Sequence, residues 1–239
     1  MPELFLGLPL EGWVLIAVAI GAFAQAATGM GFSLVAAPVL IATMGQAHGV
    51  ATVVLLAACA SIVPLARGWR DVDPRGAGRL LVPTLLATPV IAWALRSVDH
   101  TVLAVAGGAA VLVGVGLLAS GLRSAWLRHP SGEVATGLAS ATLNVVGGVG
   151  GPPVGLYAAN TDWKPARTRS TLQAFFLVQN LVTAAVVGLV LPTWPQLLAL
   201  VIGSAMGLLV APRLPTSAAR LSVLGISALG GVALVAGSA

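Results

Sequence analysis

The chain has 239 residues, of which 58% are hydrophobic and only 8% are charged, and its mean hydropathy is +0.99. About a quarter of the residues are charged in soluble domains, so this composition excludes a soluble globular protein and indicates a polytopic membrane protein. The net charge of +5 does not indicate a nucleic-acid partner, because the twelve basic residues are scattered in short loops between apolar runs.

Eight apolar segments follow one another along the chain. They cover residues 12–45, 48–66, 78–95, 101–121, 133–159, 170–191, 195–212 and 217–238. A helix needs about 20 residues to cross the membrane, and most of the segments have this length. Their uninterrupted apolar character favours helices over a transmembrane barrel, whose strands would alternate. The predicted fold class is therefore all-α.

Two of these segments contain glycine-rich breaks. The first break reads Thr28-Gly29-Met30-Gly31, and the second reads GGVGGPP over residues 147–153. Glycine weakens a helix interior, and proline suits only the first turn of a helix. Each broken segment is therefore predicted to be a hairpin of two half-helices that meet at the break.

The two breaks belong to an internal repeat with an offset of 119 residues. The aligned pairs include Gln25 with Asn144, Gly29 with Gly148, Gly31 with Gly150, Ser61 with Asn180 and, after a two-residue slip, Arg96 with Arg213. We predict two repeats, residues 1–127 and residues 128–239. Each repeat is a broken-helix hairpin followed by three transmembrane helices.

The basic residues predict how the repeats insert. If every segment crossed the membrane once, six basic residues would lie on each side. If the two broken segments return to the side they enter from, and the N-terminus lies outside, eleven of the twelve lie inside. The positive-inside rule favours this second arrangement. It predicts three membrane crossings per repeat. Because three is an odd number, the second repeat is inserted in the opposite orientation to the first, and both termini lie on the outer side of the cell inner (plasma) membrane.

The breaks predict a binding site for a small anion. A half-helix that starts in mid-membrane directs free N–H groups and the positive end of its dipole at whatever lies in front of it, which is how helix N-termini bind anions. The predicted substrate-binding residues are Gln25, Thr28, Gly29, Met30, Gly31, Ser33, Asn144, Gly147, Gly148, Gly150, Gly151, Pro152, Gln173 and Asn180. Arg169 is a candidate gate or anion contact, and an orientation anchor is the alternative for it.

Segment 170–191 and the residue before it carry the most polar helix face of the chain. Arg169, Gln173, Phe176 and Asn180 recur at helical spacing and share one side. Unpaired polar groups are costly in hydrocarbon, so this face is predicted to turn toward the protein interior or a watery path. The neighbouring Gln179 is interpreted as a bridge between helices.

Helix packing is the alternative explanation for glycines in membrane helices. Gly107, Gly114 and Gly121 recur at every seventh position, and we assign these three to packing. Packing alone does not account for the proline pair of the second break or for the repetition of both breaks at matched positions.

No catalytic set is apparent in the sequence. The seven acidic residues lie in or beside loops, the three histidines lie near segment ends, and the single cysteine, Cys59, lies in an apolar run. The chain is therefore predicted not to be an enzyme, with neither a metal site nor a cofactor.

Three motifs resemble the TauE/SafE sulfite exporter family, also called the 4-toluene sulfonate uptake permeases. They are GFSLVAAPVL from residue 31, GGVGGPPVGLY from residue 147 and RSTLQAFFLVQN from residue 169. The resemblance implies a multi-pass inner-membrane protein that moves sulfite, sulfoacetate, thiosulfate or related anions. It also implies a signature loop, with a partner in the first repeat. The loop comprises Gly147, Gly148, Gly150, Gly151 and Pro152, and its partner comprises Gly29 and Gly31.

We therefore expect a secondary transporter for a small sulfur-containing anion such as sulfite, thiosulfate or an organosulfonate. It would work by alternating access around two opposed half-helix N-termini. The alternatives are a transporter of another small anion, such as a carboxylate, and a non-transporting membrane scaffold component. The expected partners are the anionic substrate and membrane lipid, without nucleic acid, and the formation of a homo-oligomer stays open.

Overall fold

The computed structural model of the chain describes residues 10–210 and 216–238. Within these ranges it contains ten α-helices, three short 3-10 turns and no strands, so the all-α prediction is confirmed. The helices are α1 (Leu10–Thr28), α2 (Phe32–Met44), α3 (Gln46–Gly68), α4 (Pro74–Ala94), α5 (His100–Ser120), α6 (Pro130–Gly147), α7 (Gly151–Ala159), α8 (Pro165–Val187), α9 (Trp194–Val210) and α10 (Thr216–Ser238). Arg213, the predicted repeat partner of Arg96, lies outside the described residues.

Five spans of the described chain are long and apolar enough to cross a membrane. They are Leu10–Thr28, Gln46–Asp71, Pro74–Ser97, Thr101–Ser120 and Pro165–Val187. Large aliphatic side chains, including Leu86, Val201 and Leu229, are exposed on the outer helix faces. Exposed apolar surface on this scale would be unfavourable in water but is favourable in lipid. The helices and their outer faces therefore fit a polytopic membrane protein.

The first broken segment consists of two helices that fold back on each other. α1 ends at Thr28, and α2 begins at Phe32 after Gly29 and Gly31, whose φ angles are 88° and 113°. α2 packs along α1, and a Cβ added to Gly21 would lie 2.8 Å from the carbonyl oxygen of Phe32. The 13 residues of α2 make the short arm that was predicted. The 19 residues of α1, about 28 Å at 1.5 Å per residue, make a longer arm than a half-helix.

The second broken segment folds back in the same way. Ser140 of α6 donates a hydrogen bond of 2.6 Å to the carbonyl oxygen of Gly150, and the Tyr157 hydroxyl of α7 donates to Glu133 Oε1 at 2.9 Å. Arg79 also donates to Glu133 Oε1, at 3.4 Å. Glu133, which the sequence places beside a loop, is only 6% exposed because α7 and α4 cover it. The described interior therefore does contain an ionisable side chain.

The helices of the two halves pair reciprocally. α1 packs on α9 as α6 packs on α4, and α2 packs on α10 as α7 packs on α5. α3 packs on α8, and α5 packs on α10, so these pairs join equivalent helices of the two halves. If α1 is exchanged with α6, α2 with α7, and so on to α5 with α10, the same set of packed helix pairs results. The opposite insertion of the two halves stays a prediction from the charge distribution.

Close backbone packing joins α9 to α1. A Cβ added to Gly203 would lie 2.1 Å from the carbonyl oxygen of Ala19, and one added to Gly207 would lie 2.6 Å from that of Phe23. Gly203 and Gly207 are one helical turn apart, which is the small-xxx-small pattern of membrane helix pairs. The sequence analysis did not assign this contact.

The glycines assigned to packing in α5 divide into two kinds. A Cβ added to Gly107 would lie 3.0 Å from Gln46 Oε1, and one added to Gly114 would lie 2.8 Å from Pro152 Cγ, so both are packing positions. Gly121 instead follows the end of α5 with a φ of 56°, and no atom lies within 4 Å of an added Cβ. Assigning Gly121 to packing is therefore wrong: it is a left-handed helix cap.

Substituting Gly203 by alanine is expected to destabilise the protein by about 1–3 kcal/mol, because α1 and α9 must separate to admit the methyl group. Thermal unfolding in detergent measures this effect. Gly116→Ala is the matched control, since Gly116 is also inside a helix but an added Cβ meets open space. The control is expected to match or slightly exceed the stability of the unsubstituted protein. Equal melting temperatures for the two variants would contradict the proposed contact.

Candidate anion-binding site

A small cavity lies where the two breaks meet. Its volume is about 30 Å³, room for about two water molecules. Fifteen residues line it: Gln25, Met30, Gly31, Phe32, Ser33, Leu34, Ala57, Asn144, Val149, Gly150, Gly151, Pro152, Phe176, Gln179 and Asn180. Met30 of the first break also packs on α7, where a Cβ added to Gly155 would lie 2.7 Å from the methionine Sδ. The cavity thus admits a ligand of only a few non-hydrogen atoms.

Nine of the residues predicted from the sequence belong to this lining. They are Gln25, Met30, Gly31, Ser33, Asn144, Gly150, Gly151, Pro152 and Asn180. The sequence reasoning missed six lining residues, of which five are apolar or aromatic side chains on α2, α3, the second break and α8. The six are Phe32, Leu34, Ala57, Val149, Phe176 and Gln179. A polar residue inside a membrane helix is itself a signal of function, and this signal could have found Gln179.

Three predicted residues at the first break, Thr28, Gly29 and Gln173, are not among the lining residues. The Thr28 hydroxyl donates to the Ala24 carbonyl oxygen of its own helix at 2.9 Å. Gln173 Nε2 donates to the Gly29 carbonyl oxygen at 2.8 Å, while Gln173 Oε1 accepts from Gln25 Nε2 at 3.2 Å. Gln173 is fully buried, so its amide holds α8 against the first break and orients Gln25.

Two predicted residues of the second break, Gly147 and Gly148, are also outside the lining. Gly148 follows α6 with a φ of 68°, and a Cβ added there would lie 2.4 Å from Val53 Cγ1 of α3. Gly147 packs on α5, where an added Cβ would lie 3.0 Å from the Gly107 carbonyl oxygen. Both glycines allow the chain to turn between α6 and α7 in a tightly packed place.

Arg169 is exposed and does not line the cavity. Its side chain lies beside the first break, because a Cβ added to Gly29 would be 3.6 Å from Arg169 Cγ. The other three residues of the predicted polar face, Gln173, Phe176 and Asn180, are buried. Arg169 therefore stands at the edge of the first break, and its role as a gate stays a prediction.

Equivalent hydrogen bonds support the two breaks. Gln25 Nε2 of α1 donates to Ser61 Oγ of α3 at 3.1 Å, and Asn144 Nδ2 of α6 donates to Asn180 Oδ1 of α8 at 3.2 Å. The four residues are the pairs that the repeat aligns at an offset of 119. Each bond joins the first arm of a hairpin to the crossing helix that follows the hairpin.

Asn144 fixes the second break from inside the protein. Besides Asn180, its Nδ2 donates to Thr183 Oγ1 at 2.9 Å, and its Oδ1 accepts from the Gly150 N–H at 3.1 Å. Asn144 is 2% exposed. One buried amide therefore positions the chain just before α7 and ties α6 to α8.

The start of α2 supplies unpaired backbone donors to the cavity. Gly31 precedes this helix without a side-chain cap, and no described residue accepts a hydrogen bond from the N–H groups of Phe32, Ser33 or Leu34. All three residues line the cavity. The helix dipole places partial positive charge at the same point. This end of the cavity therefore attracts an anion.

The start of α7 is a weaker source of donors. Its first three residues are Gly151, Pro152 and Pro153. Proline has no backbone N–H, so two of the first four positions of this helix cannot donate. The two helix N-termini are therefore not equivalent, and most of the backbone donors come from α2.

No charged side chain is among the fifteen lining residues. An anion in this place would be held by amide and hydroxyl dipoles rather than by a fixed cation. Gln179 adds to this polar wall from α8: its Nε2 donates to Ser140 Oγ at 2.8 Å, so it is the predicted bridge between helices and a lining residue as well.

Comparison with known proteins assigns the family. The family described as "Sulfite exporter TauE/SafE" matches residues 13–236. The chain belongs to the TauE/SafE family. No curated protein and no solved structure shows significant similarity to it. Family membership and the apolar helices together identify a multi-pass membrane protein of a transporter family.

The three sequence motifs of this TauE/SafE chain meet at the cavity. The motif from residue 31 is the start of α2, the motif from residue 147 is the second break with α7, and the motif from residue 169 lies within α8. Each motif contributes lining residues. The residues that carry the family resemblance are thus those that build the candidate site.

Proposed function

We propose that this TauE/SafE chain is a secondary transporter for a small sulfur-containing oxyanion of the sulfite or thiosulfate type. The observation that carries the proposal is the start of α2, where three residues with unpaired N–H groups line a cavity that has no charged side chain in its lining. Helix N-termini of this kind bind oxyanions. The absence of a lining carboxylate argues against a cation as the cargo.

The size of the cavity supports an inorganic cargo over an aromatic sulfonate. A volume of about 30 Å³ accepts only a few non-hydrogen atoms. A small carboxylate has a similar size, so competition between acetate and sulfite separates the two kinds of cargo. A scaffold protein without transport activity would bind neither.

The reciprocal helix pairing supports alternating access. The cavity lies between the two hairpins, and each hairpin packs against helices of the other half of the chain. In transporters built from two repeats, one bundle rocks against the other around a fixed central site. We expect the α3–α8 pair to form the axis of this movement, because it joins equivalent helices at the centre of the fold.

Reconstituted proteoliposomes test the proposal. The purified protein is placed in liposomes loaded with sulfite, and the efflux is recorded in parallel with thiosulfate, sulfoacetate, taurine, sulfate and acetate. We expect saturable sulfite or thiosulfate flux that exceeds the flux of protein-free liposomes and is poorly inhibited by acetate. Flux of none of these anions would contradict the proposed function, and preferred inhibition by acetate would replace the cargo by a carboxylate.

Ser33→Ala is expected to raise the KM for the anion roughly tenfold, because a hydrogen bond to a charged group is lost. The Ser33 hydroxyl lines the cavity, and none of the described residues bonds to it, so the substitution leaves no buried partner unpaired. Thr43→Ala is the matched control on the same helix, since the Thr43 hydroxyl bonds only carbonyl oxygens of its own helix. Equal KM values for the two variants would remove Ser33 from the site.

A further inference from the structure

The cavity contains a buried acceptor that the described protein leaves without a donor. Gln179 is 1% exposed and lines the cavity, and its Oε1 has no hydrogen-bond partner among the described residues. The amide lies directly beside the second break, since a Cβ added to Gly150 would be 2.9 Å from Gln179 Oε1. An unpaired buried acceptor is costly, so a donor from the ligand would relieve it.

The orientation of this amide follows from its neighbours. Ser140 Oγ lies 2.6 Å from the Gly150 carbonyl oxygen, so the single hydroxyl proton is used in that bond. Ser140 Oγ can then only accept from Gln179, and the group at 2.8 Å must be the amide nitrogen. The amide oxygen is therefore the atom left without a partner.

The absence of charged side chains from the lining also favours a ligand that can donate a hydrogen bond. The polar groups of the lining are all uncharged: the backbone N–H groups at the start of α2, the Ser33 hydroxyl, and the amides of Gln25, Asn144, Gln179 and Asn180. Moving a dianion out of water without a paired cation costs far more than moving a monoanion. A site with several donors, one unpaired acceptor and no cation suits a monoanion that carries a proton of its own.

We propose that the site binds a protonated oxyanion, hydrogensulfite rather than the sulfite dianion. The oxygens of the anion accept from the N–H groups of Phe32, Ser33 and Leu34, and its hydroxyl donates to Gln179 Oε1. This inference rests on the proposed function and names the protonation state of its cargo. Transport would then move one proton with each sulfur centre, although the cavity has no carboxylate to carry it.

A pH series on the purified protein tests the inference, with sulfite and methanesulfonate as probes in a calorimetric titration. Methanesulfonate is a monoanion at every pH used, with three acceptor oxygens and a methyl group but no proton to donate in a hydrogen bond. The apparent Kd for total sulfite is expected to be constant below the second ionisation of sulfurous acid and to rise about tenfold per pH unit above it. The Kd of methanesulfonate is expected to be pH-independent and at least tenfold weaker.

The outcomes separate this inference from the proposed function. The inference would be overturned, with transport left intact, by a Kd for sulfite that does not change with pH. It would also be overturned if methanesulfonate bound as tightly as hydrogensulfite, which is the result expected if a resident water donates to Gln179 Oε1. If none of the anions binds or is transported at any pH, the proposed function itself fails.

Two substitutions test the role of Gln179. Gln179→Met keeps the length of the side chain but removes its oxygen, and we expect it to abolish the preference for hydrogensulfite over methanesulfonate. Ser140→Ala removes the same hydrogen bond from the other side but keeps the Gln179 amide itself, so its oxygen can still accept from the ligand and the preference is expected to persist. The same preference in both variants would overturn the assignment of Gln179.

Discussion

Substituting Asn144 by leucine is expected to destabilise the protein by about 2–4 kcal/mol and to abolish sulfite flux. Leucine has nearly the same size but cannot bond to Asn180, Thr183 or the Gly150 N–H. Hydrogen bonds between membrane helices contribute modestly, so most of the cost comes from the buried Gly150 N–H, which loses its acceptor. Thermal unfolding in detergent and efflux from proteoliposomes measure the two effects.

Thr142→Val is the matched control for Asn144→Leu. Thr142 is on the same helix, faces outward, and bonds only the Leu138 carbonyl oxygen of its own helix. Its variant is expected to keep both the melting temperature and the flux. If Asn144→Leu also kept both, the buried amide would not position the second break.

Gly148→Ala is expected to lower the flux at least tenfold and to destabilise the protein by about 2–5 kcal/mol. The left-handed conformation costs an alanine about 1–2 kcal/mol. The clash with Val53, only 2.4 Å from the new Cβ, adds about 1–3 kcal/mol. Relief of this clash requires movement of the break that precedes α7, so the cavity is disturbed as well. Melting temperature and flux are the measurements.

Gly121→Ala separates the two contributions to that loss. Gly121 has a similar φ of 56°, but an added Cβ has no neighbour within 4 Å. We expect this variant to show only the conformational cost and normal flux. A Gly148→Ala protein that behaves like Gly121→Ala would show that the tight contact between the second break and α3 is dispensable.

Much of the fold could be predicted from the sequence because the signals are local. Apolar runs gave the spanning segments, and the glycines and prolines at residues 29–31 and 147–153 marked the breaks that the structure has between α1 and α2 and between α6 and α7. The length of α1 and the GxxxG contact of Gly203 with α1 were not predicted, since each depends on a partner helix far away in the chain.

The candidate site was predicted in part. The cavity is lined by part of each break, namely Met30, Gly31, Gly150, Gly151 and Pro152. The polar positions Gln25, Asn144 and Asn180 line it as well, as their intramembrane position suggested. Gln173, although equally polar, instead bonds the Gly29 carbonyl oxygen behind the lining. Periodicity places both Gln173 and Asn180 on one face of α8, but it does not distinguish a residue that lines a cavity from one that holds a neighbouring helix in place.

The sequence by itself determined that this protein is helical, lies in the membrane and is interrupted at two matched positions, because hydropathy and backbone freedom belong to the residues themselves. It also determined the family, since the motifs are contiguous in the chain. Only the tertiary structure decided that α2 supplies most of the free amides, that Glu133 is covered, and that Gln179 keeps an unpaired oxygen beside Gly150. Hydrogen-bond partners come from separate helices, so which donors and acceptors stay free is settled only when those helices pack.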